Sequence, residues 1–305
     1  MNIKKPEVFR EDKYNKPDYW QIHKKRVESL TENLNDILED KPFTDTHIHL
    51  YPPKLFNAIF NWFDWAGWVI PYKKDTDSLY KYLELAGIKR SFLLLYAHKP
   101  DISYSLNKWA KDFCIDKMLL PFGCIHPGDK DLDRILGEVL DNWSFPGIKL
   151  HLLVQKIRAD DSSLSPVYEA LNKRDKCLII HAGTCPYPES HLSIDYLYNV
   201  LKKFPYLRVQ IAHLGLYELD KSYYLAKNYE NVYLDTSFIL GNPAFPLGNY
   251  MEKILDLEDK IVYGSDFPLI KHDMVKGIEK ILELELDKDF YQKLFSTNAT
   301  KFLGS

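Results

Sequence analysis

Two histidines separated by a single residue, His47 and His49 in FTDTHIHL, are the first positions whose type and spacing could do chemistry. Side chains alternate along a strand, so residues i and i+2 project to one side, and both imidazoles can reach one metal ion from a single strand end. Taken alone, the pair also fits two hydrogen-bonded core histidines. Its company points to a metal: His181 lies at the end of CLIIHAG, His213 in RVQIAHLG and Asp266 at the end of KIVYGSD. The imidazoles of His47, His49 and His181 with the Asp266 carboxylate suit Zn²⁺, Mn²⁺ or Fe²⁺ better than the harder Ca²⁺ or Mg²⁺. An ion held this way can lower the pKa of a water to about 7. Asp266 can then take that proton as base, while His213 acts as the electrophile that steadies a developing oxyanion.

Something must bring these distant residues together. Eight short apolar runs are predicted as strands: 43–50, 90–97, 118–126, 147–151, 177–183, 208–215, 231–237 and 260–266. Amphipathic helical patterns such as DLDRILGEVLDN and IDYLYNVLKKF lie between them. Strand–helix alternation repeated eight times predicts an α/β chain folded as a (β/α)8 TIM barrel. An open doubly wound sheet would more often carry a Gly-rich phosphate turn after an early strand, and none is present. In a parallel barrel the site lies at the C-terminal strand ends, where the ionisable residues fall. Lys149, His126, His151 and Asp235 also end strands; they are expected to bind substrate or to hold ligand imidazoles in their tautomer. Hydrogen-bonded structural roles are the plainer reading for each.

The pattern VESLTENLNDIL marks residues 1–41 as an N-terminal helical extension, leaving 42–305 for the barrel. After the first strand comes the aromatic-rich insertion YPPKLFNAIFNWFDWAGWVIPYK, equally readable as a wall or lid over the barrel mouth and as a packing patch. Ser237 and Ser265 lack a Gly-x-Ser-x-Gly setting, so a serine nucleophile is not expected.

Composition narrows the partners. The chain has 305 residues, 46% hydrophobic, with 40 basic against 43 acidic residues, so no basic face for nucleic acid or anionic membrane is implied. The N-terminus has no apolar signal core and no apolar stretch is long enough to span a bilayer. A cytoplasmic protein acting on a small molecule is expected, with a homodimer through the aromatic insertion as a guess. Cys114, Cys124, Cys177 and Cys185 form no CxxC pair and read as reduced thiols, so any metal must come from His and carboxylate ligands.

Together, TDTHIHL, GIKLH, HAG, AHLG, GSDFP and the closing NATKFL resemble the amidohydrolase superfamily, and within it the amidohydrolase-related branch that includes aminocarboxymuconate semialdehyde decarboxylase. The resemblance runs from about residue 42 to the C-terminus. It implies that His47 and His49 are the paired first-strand ligands, His181 the fifth-strand ligand, and Asp266 a ligand that also shuttles a proton. His213 then either binds a second metal or polarises the substrate. Binuclear members bridge two metals with a fourth-strand lysine carbamate, a role open to Lys149. Other readings of Lys149 are a contact to a substrate carboxylate and a structural ion pair. The expectation is one divalent transition metal, zinc first, with two if Lys149 is carbamylated. The predicted activity is hydrolysis of a C–N or C–O bond in a small carboxylated substrate. A non-oxidative decarboxylase or hydratase on the same site is the alternative, and a non-catalytic binding barrel ranks after both.

Overall fold

The computed structural model describes residues 17–72, 75–184, 189–242 and 248–304. Eight parallel strands follow one another around a single sheet in sequence order: β1 (Thr44–Ile48), β2 (Arg90–Leu94), β3 (Leu119–Cys124), β4 (Gly147–His151), β5 (Cys177–His181), β6 (Arg208–Ile211), β7 (Val232–Asp235) and β8 (Ile261–Val262). Helices occupy the connections. The last strand meets the first through Thr46 N–H to Tyr263 O at 2.9 Å, Asp266 N–H to His47 O at 2.8 Å and His49 N–H to Phe267 O at 2.7 Å. An Ile48–Phe267 bridge completes that seam. This is the (β/α)8 barrel that the rhythm of apolar runs predicts, its strands buried on both faces as a helix-covered parallel sheet requires.

Register explains why chemistry gathers at one end. Lys149 pairs with Ile179, Ile179 with Gln210, and Gln210 with Tyr233, so these residues share one layer around the barrel. Phe92, Phe122, Cys177, Ile179, Tyr233 and Val262 form an apolar cluster that shares Ile179 and Tyr233 with this layer and that Phe302, from the closing helix Asn298–Leu303, packs against. Polar side chains therefore crowd the C-terminal ends of the strands while the barrel interior beneath is apolar, which is how a filled barrel divides its work.

Every strand but β4 stops short of its predicted run, β6 and β8 by the most. β6 ends at Ile211 because His213, Leu214, Gly215 and Leu216 all take positive φ, from 51° to 75°. β8 keeps only two residues because the next two N–H groups leave the ladder, Tyr263 N–H for Leu294 O and Gly264 N–H for Thr236 Oγ1, before the chain turns at Asp266, φ 63°. Only glycine enters this left-handed region without cost. Gly215 supplies one such position; a Cβ there would also lie 2.7 Å from Ser222 Oγ.

The described part of the N-terminal extension is helix α1 (Pro17–Leu38). Val27, Leu30, Leu34 and Leu38, spaced by three or four, are buried against the barrel, and Arg26 Nε donates to Glu279 at 2.5 Å. Residues 1–16 lie outside the described residues. The insertion after β1 forms α2 (Pro53–Trp65), which buries Phe56 and Phe60 and turns Trp62 and Trp65 outward, 56% and 80% exposed. No helix among the described residues is long and apolar enough to cross a membrane. Cys114, Cys124 and Cys177 are free thiols, and burial pushes Cys114 and Cys177 up to about 12. Cys185 lies outside the described residues.

Candidate metal centre

β1 and the residue after it present two imidazoles, His47 and His49, to the carboxylate that follows β8. His49 Nε2 lies 3.0 Å and His47 Nε2 3.5 Å from Asp266 Oδ1, and the ligating atoms of all three residues fall within 4.8 Å of one another. Donors that share an ion at ~2.1 Å sit about 3 Å apart, so this trio has the spacing a small divalent cation needs. Gly264 makes room for it: a Cβ at that position would meet His47 Cβ at 2.8 Å.

Hydrogen bonds decide which nitrogen each histidine offers. His49 Nδ1 donates to Leu94 O at 2.7 Å, leaving a lone pair on Nε2. Asp235, at the end of β7, can only accept. Its Oδ2 receives His47 Nδ1–H at 2.9 Å and Gln210 Nε2–H at 2.7 Å, and its Oδ1 receives the backbone N–H of His213 at 2.9 Å. The Ser237 hydroxyl also donates to Asp235, so its oxygen is left to accept His213 Nδ1–H at 2.8 Å. Both His47 and His213 consequently carry their bare nitrogen at Nε2. His213 Nε2 is 3.2 Å from His181 Nδ1; with the former bare, the latter must donate, and His181 in turn has its lone pair on Nε2. His47, His49 and His181 are thus all in the form a metal ligand requires, oriented by a second layer of carboxylate, amide and carbonyl groups.

The structure brings most of the predicted residues to one place, with differences in detail. His47, His49 and Asp266 form one potential ligand group, and His47, His213 and Asp235 another. His181 stands beside these groups, stacked on His151 at 4.2 Å and bonded to His213. Lys149 is buried with its Nζ 3.5 Å from His47 Nε2. His126 is apart: its Nδ1 accepts from Gly128, and its backbone N–H donates to Asp129 Oδ2. Asp129 also takes the Ser103 hydroxyl and the Asp101 N–H, so His126 belongs to a loop-bracing network.

Electrostatics follow from burial and company. Burial, then the Lys149 charge, pushes His47 down to about 3 against the pull of Asp235 and Asp266. Burial also lowers His213, although Asp266 and Asp235 oppose it. For Asp266 burial works upward, but the His49 hydrogen bond, and in acid the protonated His213 and His47, outweigh it and hold the carboxyl well below the usual carboxylate range. Burial brings Lys149 down to about 8, partly offset by Asp235 and Asp266. His47 and His213 are therefore neutral imidazoles, and Asp266 a carboxylate, at neutral pH.

Several contributors escaped the sequence reading. Asp45, two residues before His47, accepts His47 N–H at 3.1 Å and Ser265 N–H at 3.0 Å, tying the paired histidines to the strand that carries Asp266. Gln210 and Ser237 serve Asp235 and the imidazoles as described. On the β7–β8 side of the rim, Trp68 of the insertion stacks on Phe238 at 5.6 Å, its indole N–H donates to Leu269 O at 3.1 Å, and Phe238 in turn meets the edge of His213. The insertion is thereby a wall of the site through Trp68 and an outward-facing patch through Trp62 and Trp65.

A family model described as amidohydrolase matches residues 44–305. Among solved structures, an uncharacterized TIM-barrel protein from Bordetella bronchiseptica aligns with a TM-score of 0.69 at 20% identity, covering 86% of this chain and 98% of that one. The 5-carboxyvanillate decarboxylase of Novosphingobium aromaticivorans, complexed with manganese and 4-hydroxy-3-methoxy-5-nitrobenzoic acid, aligns at 0.64 and 17% identity, covering 87% and 97%. The 2,6-dihydroxybenzoate decarboxylase from Rhizobium aligns at 0.63 and 15% identity, covering 87% and 98%. No curated protein sequence matches the chain.

Proposed function

The chain belongs to the amidohydrolase family of enzymes, and from that footing we propose that it is a divalent-metal-dependent, non-oxidative decarboxylase of a ring-bearing carboxylic acid. The observation that carries this reading is an ionised Asp266 within 3.5 Å of two imidazole nitrogens, in a site walled by aromatic side chains. The manganese and aromatic acid of the carboxyvanillate decarboxylase neighbour, and the name of the dihydroxybenzoate enzyme, support it. His47, His49 and Asp266, with His181, would hold the ion. Manganese and zinc both suit that donor set.

When bound, the ion supplies Lewis acidity that steadies negative charge on substrate oxygens. Asp266 collects a proton from solvent and delivers it to the ring carbon bearing the carboxylate. A π pair of the ring takes that proton. The pair of the breaking C–CO2 bond then returns to the ring and carbon dioxide leaves. His213, with Nδ1–H fixed on Ser237, keeps Nε2 as an acceptor that orients His181. Trp68 and Phe238 exclude water from the ring face.

Hydrolysis is the second reading, favoured by a carboxylate already ionised and so ready to take a proton from water. One experiment separates the two. Chelator-stripped protein is reloaded with Mn²⁺ or Zn²⁺ and offered hydroxylated benzoic acids and, in parallel, lactones and amides. Metal-dependent CO2 release, lost in Asp266→Asn, supports decarboxylation. Ring opening or amide cleavage without CO2 overturns it in favour of hydrolysis.

A further inference from the structure

The outer face of α2 carries a stripe that the candidate site does not use. Lys54, Ala58, Trp62 and Trp65 recur at spacings of four, four and three, so they lie along one face of the helix. All four are exposed, while Phe56 and Phe60 on the other side anchor the helix to the barrel. Among the described residues, the side chains of Lys54 and Trp65 have no hydrogen-bond, ion-pair or ring partner. Trp62 and Trp65 are 56% and 80% exposed, which at up to ~250 Å² an indole leaves about 340 Å² of aromatic surface in water. An apolar patch of that size marks an interaction site. It is also close to half of the ~800 Å² that each partner of a stable complex covers. Exposed Asn57, Asn61 and Val69 flank it and supply a mixed rim.

We propose that this stripe is the centre of an interface with a second copy of this chain, α2 packing antiparallel on α2 across a two-fold axis. The stripe is complementary to itself. A two-fold contact requires that where one residue meets a second, the second also meets the first. With the axis beside Ile59 and Phe60, Lys54 and Trp65 lie at about equal distances on either side, and so do Ala58 and Trp62. Each Trp65 then receives the Lys54 ammonium of the other copy over its ring, a favourable cation–π contact. Each Trp62 settles on the small Ala58 of the other copy, where no longer side chain stands in its way. Tryptophans at the middle of a contact are the residues that most often carry its energy. A lipid surface would ask for several basic residues along the helix, and α2 has Lys54 alone, with Asp64 near its other end. The interface adjoins the metal centre, because Phe63 lies 5.1 Å from Trp62 and 6.0 Å from Trp68.

Sedimentation velocity of the full chain, from about 1 to 100 µM, tests the proposal. Wild type should pass from monomer to dimer within that range. Trp65→Lys sets two ammonium groups face to face and should weaken the dimer at least about 30-fold. Ala58→Arg fills the seat of Trp62 and should do the same. Adding Lys54→Trp to Trp65→Lys exchanges the two sides of the contact and should restore the dimer, a rescue that only the antiparallel register allows. All three positions are exposed, so folded variants are expected, and circular dichroism confirms them before sedimentation. A wild type that stays monomeric at the top of the range overturns the proposal. So does a dimer that neither Trp65→Lys nor Ala58→Arg weakens, or a double variant no better than Trp65→Lys alone. Wild type that stays monomeric and sediments with phosphatidylglycerol vesicles would make the stripe a membrane contact instead.

Discussion

Asp235 and His47, joined by a 2.9 Å hydrogen bond inside the barrel, determine which nitrogen His47 turns toward Asp266. An acceptor at Nδ1 keeps the proton there and leaves Nε2 bare. The same carboxylate takes the His213 N–H and the Ser237 hydroxyl, so one side chain sets the form of two imidazoles.

In Asp235→Asn the amide nitrogen brings a second donor against His47 Nδ1–H or the Gln210 amide. Metal affinity should fall about 10- to 100-fold with the barrel folded, the usual effect of losing such an orienting group. Competition against a chelator measures it. An affinity within twofold of wild type would falsify the tautomer assignment.

Replacing Asp266 by Asn should lower kcat by at least about 10²-fold, the scale of a lost positioned acid or base. Steady-state kinetics on the metal-loaded variant, with bound metal quantified, separates that effect from simple loss of the ion.

Gly264→Ala adds a methyl group 2.8 Å from His47 Cβ. Overpacking of this kind costs about 1–3 kcal/mol. The displaced imidazole should also weaken metal binding at least about tenfold. Denaturant unfolding and chelator competition report the two effects, and a variant with wild-type metal affinity counts against the crowding argument.

Acid should destabilise the metal-free protein. His47 is lowered from 6.5 to about 3, and His151 and His213 are lowered too, so below pH 6.5 the unfolded chain binds protons that the folded chain refuses. Stability therefore falls as pH drops from 6.5 toward 3, by up to ~1.4 kcal/mol per pH unit for each such group. Asp45 opposes them: raised by burial to about 7, it binds a proton in the folded state first and adds stability as pH falls from 7 to 3.8. Three imidazoles outweigh one carboxyl. Thermal melts of chelator-treated protein at pH 8, 6.5 and 5 should step downward, and a flat series would contradict the burial of these neutral histidines.

Phe302→Ala empties the apolar cluster at the closing helix, where Phe92 and Tyr233 pack. The expected loss is about 3–5 kcal/mol in denaturant unfolding. Metal affinity should hold, because the rings Phe302 packs against, Phe92 and Tyr233, belong to none of the candidate ligands.

Much of this was legible in the residues. Eight apolar runs predict eight strands, and His47, His49, His181 and Asp266 mark one rim because each apolar run ends on a group that burial alone would not select. The remainder depends on facts that residue type does not carry. Gln210 reads as an ordinary polar residue inside a strand until the register sets it beside Asp235. Ser237 invites judgement only as a nucleophile, whereas its work is to pass a hydrogen bond from His213 to Asp235. The early end of β6 comes from left-handed backbone that begins at His213, a residue whose side chain gives no hint of it. Trp68 lies in a loop, where periodicity is silent.

The seam where the last strand meets the first has a consequence of its own. Asp266 N–H bonds His47 O, and His49 N–H bonds Phe267 O, so the backbones that zip the cylinder shut are those of the candidate ligands. A cation gripped by those side chains would act as a rivet across the join, making loading and closure a single cooperative event. Substitutions there should move heat resistance and turnover together, and a search for hardier variants would do better to begin elsewhere on the barrel.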